Sequence, residues 1–252
     1  SDDFTWEKVE TLDLGLDLGL FKNRFTLVFD WYRRDTKDML TQGVEMPAVL
    51  GTAAPLQNVA DLRSKGWEVQ LEWKDKIGKN LSYRIGANIY DFQAAITRFK
   101  NDAGLLSTYY EGMQIGEIWG YTTNRFYTID DFEPGTLKAD LTGGTLKGGI
   151  PRVEGSNPNP GDVLYVDMNK DGIIKPGHNT LSDHGDITII GNNTRRYEFG
   201  INGGVTWKNL DLSFFMNGVG KRDLWLATDY TFPYNQEFNT IYTSTLDYWT
   251  AQ

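Results

Sequence analysis

Asp167, Asn169 and Asp171, followed by Gly172 and Ile173, stand at positions 1, 3, 5, 6 and 7 of a calcium-loop spacing. A hard divalent cation takes oxygen ligands. Such a loop supplies them from alternate side chains, with a glycine for the turn and the next backbone carbonyl as a further ligand. In this chain that carbonyl belongs to Ile173. Position 12 needs a bidentate acid, and His178 stands there instead. Asp183 or Asp186 would close the shell from further along, and a structural Ca2+ is the expected occupant. No amphipathic helix flanks the loop, which excludes a helix–loop–helix hand. The plainer reading is an Asx/Gly-rich turn that fits the spacing.

Other constellations carry less chemistry. Tyr109, Tyr110, Trp119 and Tyr121, with Phe126 and Tyr127 close behind, could stack on sugar rings as a substrate-binding surface. Packing a local core is an equally open role for them. His178 and His184 are the only histidines and lie in a polar stretch, as solvated side chains do. No carboxylate pair has motif support as a glycosidase dyad. Gly143-Gly144 through Gly148-Gly149 is followed by no Gly-Lys-Ser/Thr, so it is no phosphate loop. No catalytic residue is expected, and the chain does not read as an enzyme. The absence of cysteine removes disulfides and thiolate metal sites. A formal charge of −9 argues against nucleic acid as a partner and suits an anionic cavity or divalent cations.

The elements that must carry these residues are strands. Leu12, Leu14, Leu16, Leu18 and Leu20 alternate with Asp13, Gly15, Asp17 and Gly19. After Lys22-Asn23-Arg24 the alternation resumes with Phe25, Leu27, Phe29 and Trp31. Side chains of a strand point alternately to opposite faces, so this pattern predicts a hairpin with one apolar face. Trp67 to Trp73 and Leu81 to Ile89 repeat it around Asp75–Asn80, and Tyr197 to Trp207 and Leu210 to Met216 around Lys208-Asn209. The expected strands are approximately 10–20, 24–34, 66–75, 80–97, 195–207 and 209–219. Asp35 to Lys65, with Pro47, Gly51 and Pro55, reads as a long connection. Residues 100–195 read as a second, larger excursion with local structure of its own. Past Asp91 the apolar parity flips to Phe92, Ala94 and Ile96, which suggests a bulge or an exit from the sheet.

The alternation fits two environments. A soluble sandwich would bury the apolar face under a second sheet, and a calcium-stabilised carbohydrate-binding module of that kind is the alternative reading. A transmembrane barrel would turn the face to lipid. Each run has about the 9–11 residues that a tilted strand needs to cross a bilayer. The order short turn, long loop, three times over, favours an outer-membrane barrel, whose periplasmic turns are short and extracellular loops long. Aromatic content of 13% suits the girdles of such a barrel. The expected fold is therefore all-β, an antiparallel up-and-down transmembrane β-barrel segment. Six strands are fewer than the roughly eight of the smallest closed barrels, so a segment of a larger one is implied.

An ordered series of phrases resembles the SusC/RagA-type TonB-dependent outer-membrane transporters of Bacteroidetes. It runs through Lys65-Gly66-Trp67-Glu68, Glu111–Gly116 with Trp119-Gly120-Tyr121, and Gly161-Asp162 with Tyr165-Val166-Asp167 and the Asp167–Ile174 loop. Asp186, Ile190-Gly191, Arg196-Tyr197, Asn209–Ser213, Gly218–Asp223 and Asp247–Thr250 continue it. The stretch Lys175–Gly185 is longer than the usual form. The resemblance implies the C-terminal portion of a barrel of about 22 strands. The plug, the TonB-contacting segment and the signal peptide would lie upstream, and the closing strands downstream. It further implies uptake of glycans or oligopeptides across the cell outer membrane, TonB–ExbB–ExbD as the energy source, and a SusD-like surface lipoprotein as partner.

Overall fold

The computed structural model describes residues 4–42 and 56–226, with 242, 243 and 250. The Pro47–Pro55 part of the first connection and most of the Asp247–Thr250 phrase lie outside the described residues. The chain divides into a sheet unit, Ser1–Glu117 with Asn192–Asp223, and a loop unit, Ile118–Gly191 with Leu224–Gln252.

The sheet unit is one antiparallel sheet of six strands. They are β1 (Lys8–Leu20), β2 (Phe25–Gln42), β3 (Leu56–Ile77), β4 (Leu81–Phe99), β11 (Arg196–Trp207) and β12 (Leu210–Lys221), each paired with the next. Register aligns the apolar positions across all six strands. One row runs Leu18–Leu27–Leu71–Ala87–Ile201–Met216, and the row beside it Leu16–Phe29–Val69–Ile89–Phe199–Gly218. On the other face the corresponding rows are Asp17–Val28–Gln70–Asn88–Gly200–Asn217 and Gly15–Asp30–Glu68–Tyr90–Glu198–Val219. A slip of one residue anywhere would exchange the faces, so the alternation fixes the register. No second sheet covers the apolar face among the described residues, and its leucines stay open, from Leu14 at 60% exposure to Leu18 at 41%. The sandwich alternative is thereby corrected.

From Leu12 to Leu20 the apolar row covers about 26 Å of strand at about 3.3 Å per residue, close to what a tilted barrel strand needs. Aromatics mark both limits. Trp31 faces Trp67 at one end. At the other, Trp73 packs on Phe21 and Phe25, Arg24 lies over Trp73, and Lys208 lies over Trp207. Glycines sit where a neighbouring ring lies flat. A Cβ on Gly66 would come 2.5 Å from the Tyr32 ring, and one on Gly203 2.4 Å from Phe214.

Two expectations need correction. Asp35–Lys65 is not wholly a connection, because β2 runs on to Gln42 and β3 begins at Leu56. Beyond the apolar band the pairing is maintained by polar residues, with a bulge near Met39. Arg63 binds Asp35 at 2.5 Å, and Arg98 binds Asp61 at 2.6 Å and Asp38 at 3.0 Å. Nor does β4 bulge or leave the sheet at Asp91. It continues to Phe99, and its irregularity falls opposite Asp61/Leu62. Past Tyr90 the neighbour on that edge changes, since β11 pairs no further, and the vacated edge of β4 is taken by residues 112–115. Ile96 donates to the Met113 carbonyl at 2.9 Å and Ile115 to that of Ala94 at 2.8 Å.

The loop unit has its own small core of Tyr127, Phe132, Leu164 and Ile174. Short pairs frame it. These are β5 (Glu117–Tyr121) with β10 (Ile187–Asn192), β6 (Thr123–Phe126) with β8 (Val163–Tyr165), and the parallel β7 (Arg152–Val153) with β9 (Ile173–Ile174). The Tyr127 hydroxyl donates to the Pro151 carbonyl at 2.6 Å, which satisfies the polar end of a buried ring.

Candidate functional site: an inner wall and a carboxylate-bound loop

The polar face of the sheet forms a wall whose sign of charge changes along the strands. A concavity of about 270 Å³ is lined by Asp30, Glu68, Gln70, Glu72, Asn88 and Asn202. Toward the short turns a wider one of about 660 Å³ is lined by Lys74, Lys76 and Arg84, together with Arg24, Asp75 and Asp211. Carboxylates and amides held on rigid strands can hydrogen-bond a polar solute along its path, and nothing in this wall resembles a nucleophile and base. Sequence reasoning missed the wall as a site. Its residues are scattered through four strands, and only laying the hairpins side by side in register brings Asp30, Glu68 and Tyr90 into one row.

In the loop unit, Asp167 to Ile174 spans the gap between β8 and β9, and Ile174 anchors its far end in the core. Asp167 accepts from the Lys170 amide at 2.6 Å and the Gly172 amide at 2.8 Å. Asn169 accepts from the Asp171 amide at 2.9 Å, and Asp171 from that of Ile173 at 2.8 Å. Lys170 and Gly172 take positive φ, 62° and 84°, to close the turn. The Ile173 amide, the Asn169 side chain and nearby Lys175 hold the Asp171 carboxyl below its usual range.

Asp186 is placed differently from the other four expected ligands. It is fully buried, and its two oxygens accept from the amides of Met168 at 2.8 Å and Lys175 at 3.0 Å. It therefore ties together the two ends of the loop. Asp183 pairs with His178, which lowers its pKa. The loop oxygens fit a hard cation only in part: Asp167, Asn169, Asp171 and the Ile173 carbonyl are fewer than the six to eight oxygens that calcium takes. No three His, Cys, Asp or Glu side chains converge as a metal group among the described residues.

The four aromatic candidates fall in both units, and each ring has a packing role. Tyr109 meets Phe99 edge-on at 5.6 Å, and buried Tyr110 donates its hydroxyl to Glu117. Trp119 lies 5.7 Å from the His184 ring, and Tyr121 lies 5.3 Å from Tyr165 beside the loop core. Burial, aided by Asp186, raises the Tyr121 pKa.

A further ion pair, between buried Asp131 and exposed Arg125, steadies the loop unit. Asp131 accepts from both Arg125 terminal nitrogens, at 2.5 and 2.7 Å, and from the Thr128 amide at 2.8 Å. These bonds, Arg125 first, lower its pKa to about 2. A carboxyl depressed on folding stabilises fully above its unfolded pKa and loses that contribution as pH falls from about 4 to about 2. The expected size is about 2 kcal/mol. Protection factors for the amides of residues 125–165 in the full-length protein should fall over that pH window, and the fall should be absent in Asp131→Asn.

Comparison with known proteins places these features in a family. The family described as "TonB dependent receptor-like, beta-barrel" matches residues 1–145. The chain is 27% identical over 234 residues to TonB-dependent receptor P3 of Formosa agariphila, covering 87% of this chain and 21% of that one. It is 26% identical to TonB-dependent receptor SusC of Bacteroides thetaiotaomicron, covering 85% of this chain and 19% of that one. Among solved structures it is similar in fold to the RagAB peptide importer in the "open-open" state, with a TM-score of 0.58 and 22% identity. That match covers 86% of this chain and 21% of the other. The chain thus spans about a fifth of the length of these relatives. With its lipid-width apolar rows, aromatic limits and polar inner wall, the chain belongs to the TonB-dependent receptor-like β-barrel family, whose members are outer-membrane barrels.

Proposed function

We propose that this chain forms part of the wall of a TonB-dependent importer that takes up nutrients, glycans or oligopeptides, across the outer membrane. The observation that carries the reading is the two-faced sheet, with leucine and aromatic rows turned outward and a row of carboxylates and amides turned inward. Its relatives support the rest: one is the receptor SusC, and a similar fold occurs in a peptide importer. On this reading a SusD-like lipoprotein covers the extracellular side, and TonB–ExbB–ExbD supplies energy through a region upstream of this chain. The residues described here bind and guide; none is assigned a bond-breaking role.

Deleting the full-length receptor should abolish growth on at least one member of a panel of oligosaccharides and oligopeptides, and the intact gene should restore it. Restored uptake should stop when the proton-motive force is collapsed. Unchanged growth across the panel, or uptake indifferent to the uncoupler, would refute the importer reading.

Calcium at Asp167–Ile173 belongs to the same proposal. Asp167, Asn169, Asp171 and the Ile173 carbonyl would hold the ion, with water completing the shell, and the ion would stiffen the turn between β8 and β9. Calorimetric titration of the full receptor with Ca2+ should show a site that Asp167→Ala and Asp171→Ala each weaken at least tenfold. Equal affinity in both variants would remove it.

A further inference from the structure

We propose that Arg33 and Lys65 form a binding site on the outside of the barrel for the anionic headgroup phosphates of the outer leaflet. The last mainly apolar row at the long-connection end is Leu14–Trp31–Trp67–Asp91, whose acid is held by Arg196. The next row on the same face is Leu12–Arg33–Lys65–Gln93. Aromatic belts sit at headgroup level, so two cations stand one row beyond the belt, where lipid phosphates lie. Short turns occupy the opposite end of every hairpin, which makes this the extracellular side.

The local charge is unbalanced. Arg33 and Lys65 are direct cross-strand partners, and like charges directly opposed destabilise a strand pair. Asp35 is shared between Arg33 at 3.1 Å and Arg63 at 2.5 Å. Glu10, opposite Asp35 on β1, is engaged by Lys37 at 2.8 Å. Lys65 has no ion pair among the described residues, and Arg33 meets Asp35 through its Nε, which leaves its two terminal nitrogens for another partner. Arg33 and Arg63 therefore share one carboxylate, Lys37 takes the other, and the exposed Lys65 is left without an acidic partner among the described residues. A phosphate between Arg33 and Lys65 would turn the repulsion into two attractions. The guanidinium presents a fork to two phosphate oxygens and the ammonium a point charge. A lipid is favoured over a free anion because the row below, Leu14–Trp31–Trp67, offers its acyl chains an apolar surface.

The test titrates the full-length receptor in detergent with a diphosphorylated glycolipid and, separately, with phosphatidylcholine, counting bound lipid by native mass spectrometry. Arg33→Gln with Lys65→Gln should weaken the phosphorylated lipid about thirtyfold, equivalent to about 2 kcal/mol at about 1 kcal/mol per cation. Phosphatidylcholine binding should not change. Lys65→Gln alone, a single exposed side chain, should give about a fivefold loss and serves if the double variant assembles poorly. Unaltered affinity in these variants overturns the site. Full competition by millimolar inorganic phosphate overturns the lipid as its occupant. Neither readout depends on transport, so failure here leaves the importer reading standing.

Discussion

Leu16→Arg or Phe29→Arg should cost the assembled receptor about 2–4 kcal/mol, the penalty for a cation on the lipid face of a barrel near the midplane. The two residues are direct cross-strand partners in a row that continues through Val69, Ile89 and Phe199. Leu16 is also the midpoint of the Leu12–Leu20 series, as far from both aromatic limits as a side chain here can be. The measurement is equilibrium unfolding of the full receptor in lipid vesicles, alongside its level in the outer membrane. Gln70→Arg is the control. Gln70 lies beside Val69 on the same strand but faces the polar wall with Asn88, so it should be nearly neutral. Equal tolerance of arginine at Leu16 and Gln70 would mean that the faces have been assigned the wrong way round.

The second large effect lies at the edge of the apolar band. Asp91 is 6% exposed and accepts from Nε and one terminal nitrogen of Arg196, both at 2.5 Å, and from the Tyr197 amide at 3.3 Å. Arg196 also lies 5.1 Å from the Tyr197 ring centre. Asp91→Ala strands a half-buried guanidinium, and breaking such a pair from one side typically costs about 3–5 kcal/mol. Removing both charges, as Asp91→Leu with Arg196→Met, should cost clearly less than the single change, since neither partner is then left alone. Vesicle unfolding of the single and double variants reads the difference directly. A double variant as damaged as Asp91→Ala would show that packing, and not the charge left behind, sets the cost.

The parts legible in the sequence are those where burial in lipid forces a period of two. Leu12 to Trp31 and Leu210 to Met216 alternate so strictly that the hairpins and their turns follow from side-chain direction alone. The extensions of β2 and β3 past Arg34 and before Gly66 were illegible for the complementary reason. Outside the bilayer, a strand such as Arg33–Asp35–Lys37 needs no apolar row, so charges replace the signal being sought. The spacing of Asp167, Asn169 and Asp171 was readable because consecutive loop residues serve one turn. The role of Asp186 was not, because a carboxylate tying two backbone amides together looks the same in sequence as one awaiting a metal. The aromatic quartet could not be resolved either, since a ring that packs and a ring that stacks on a sugar have the same identity.

The continuation of β2 and β3 beyond Trp31 and Trp67 has a mechanical consequence. From Trp31 to Gln42 there is about 35 Å of paired strand at about 3.3 Å per residue, most of it past the hydrocarbon. Anything resting on the mouth of the barrel would meet a stiff collar instead of a fringe of slack loops. Because Arg63, Arg98 and their aspartates brace this collar, concentrated salt should soften the rim while the greasy belt below keeps its shape.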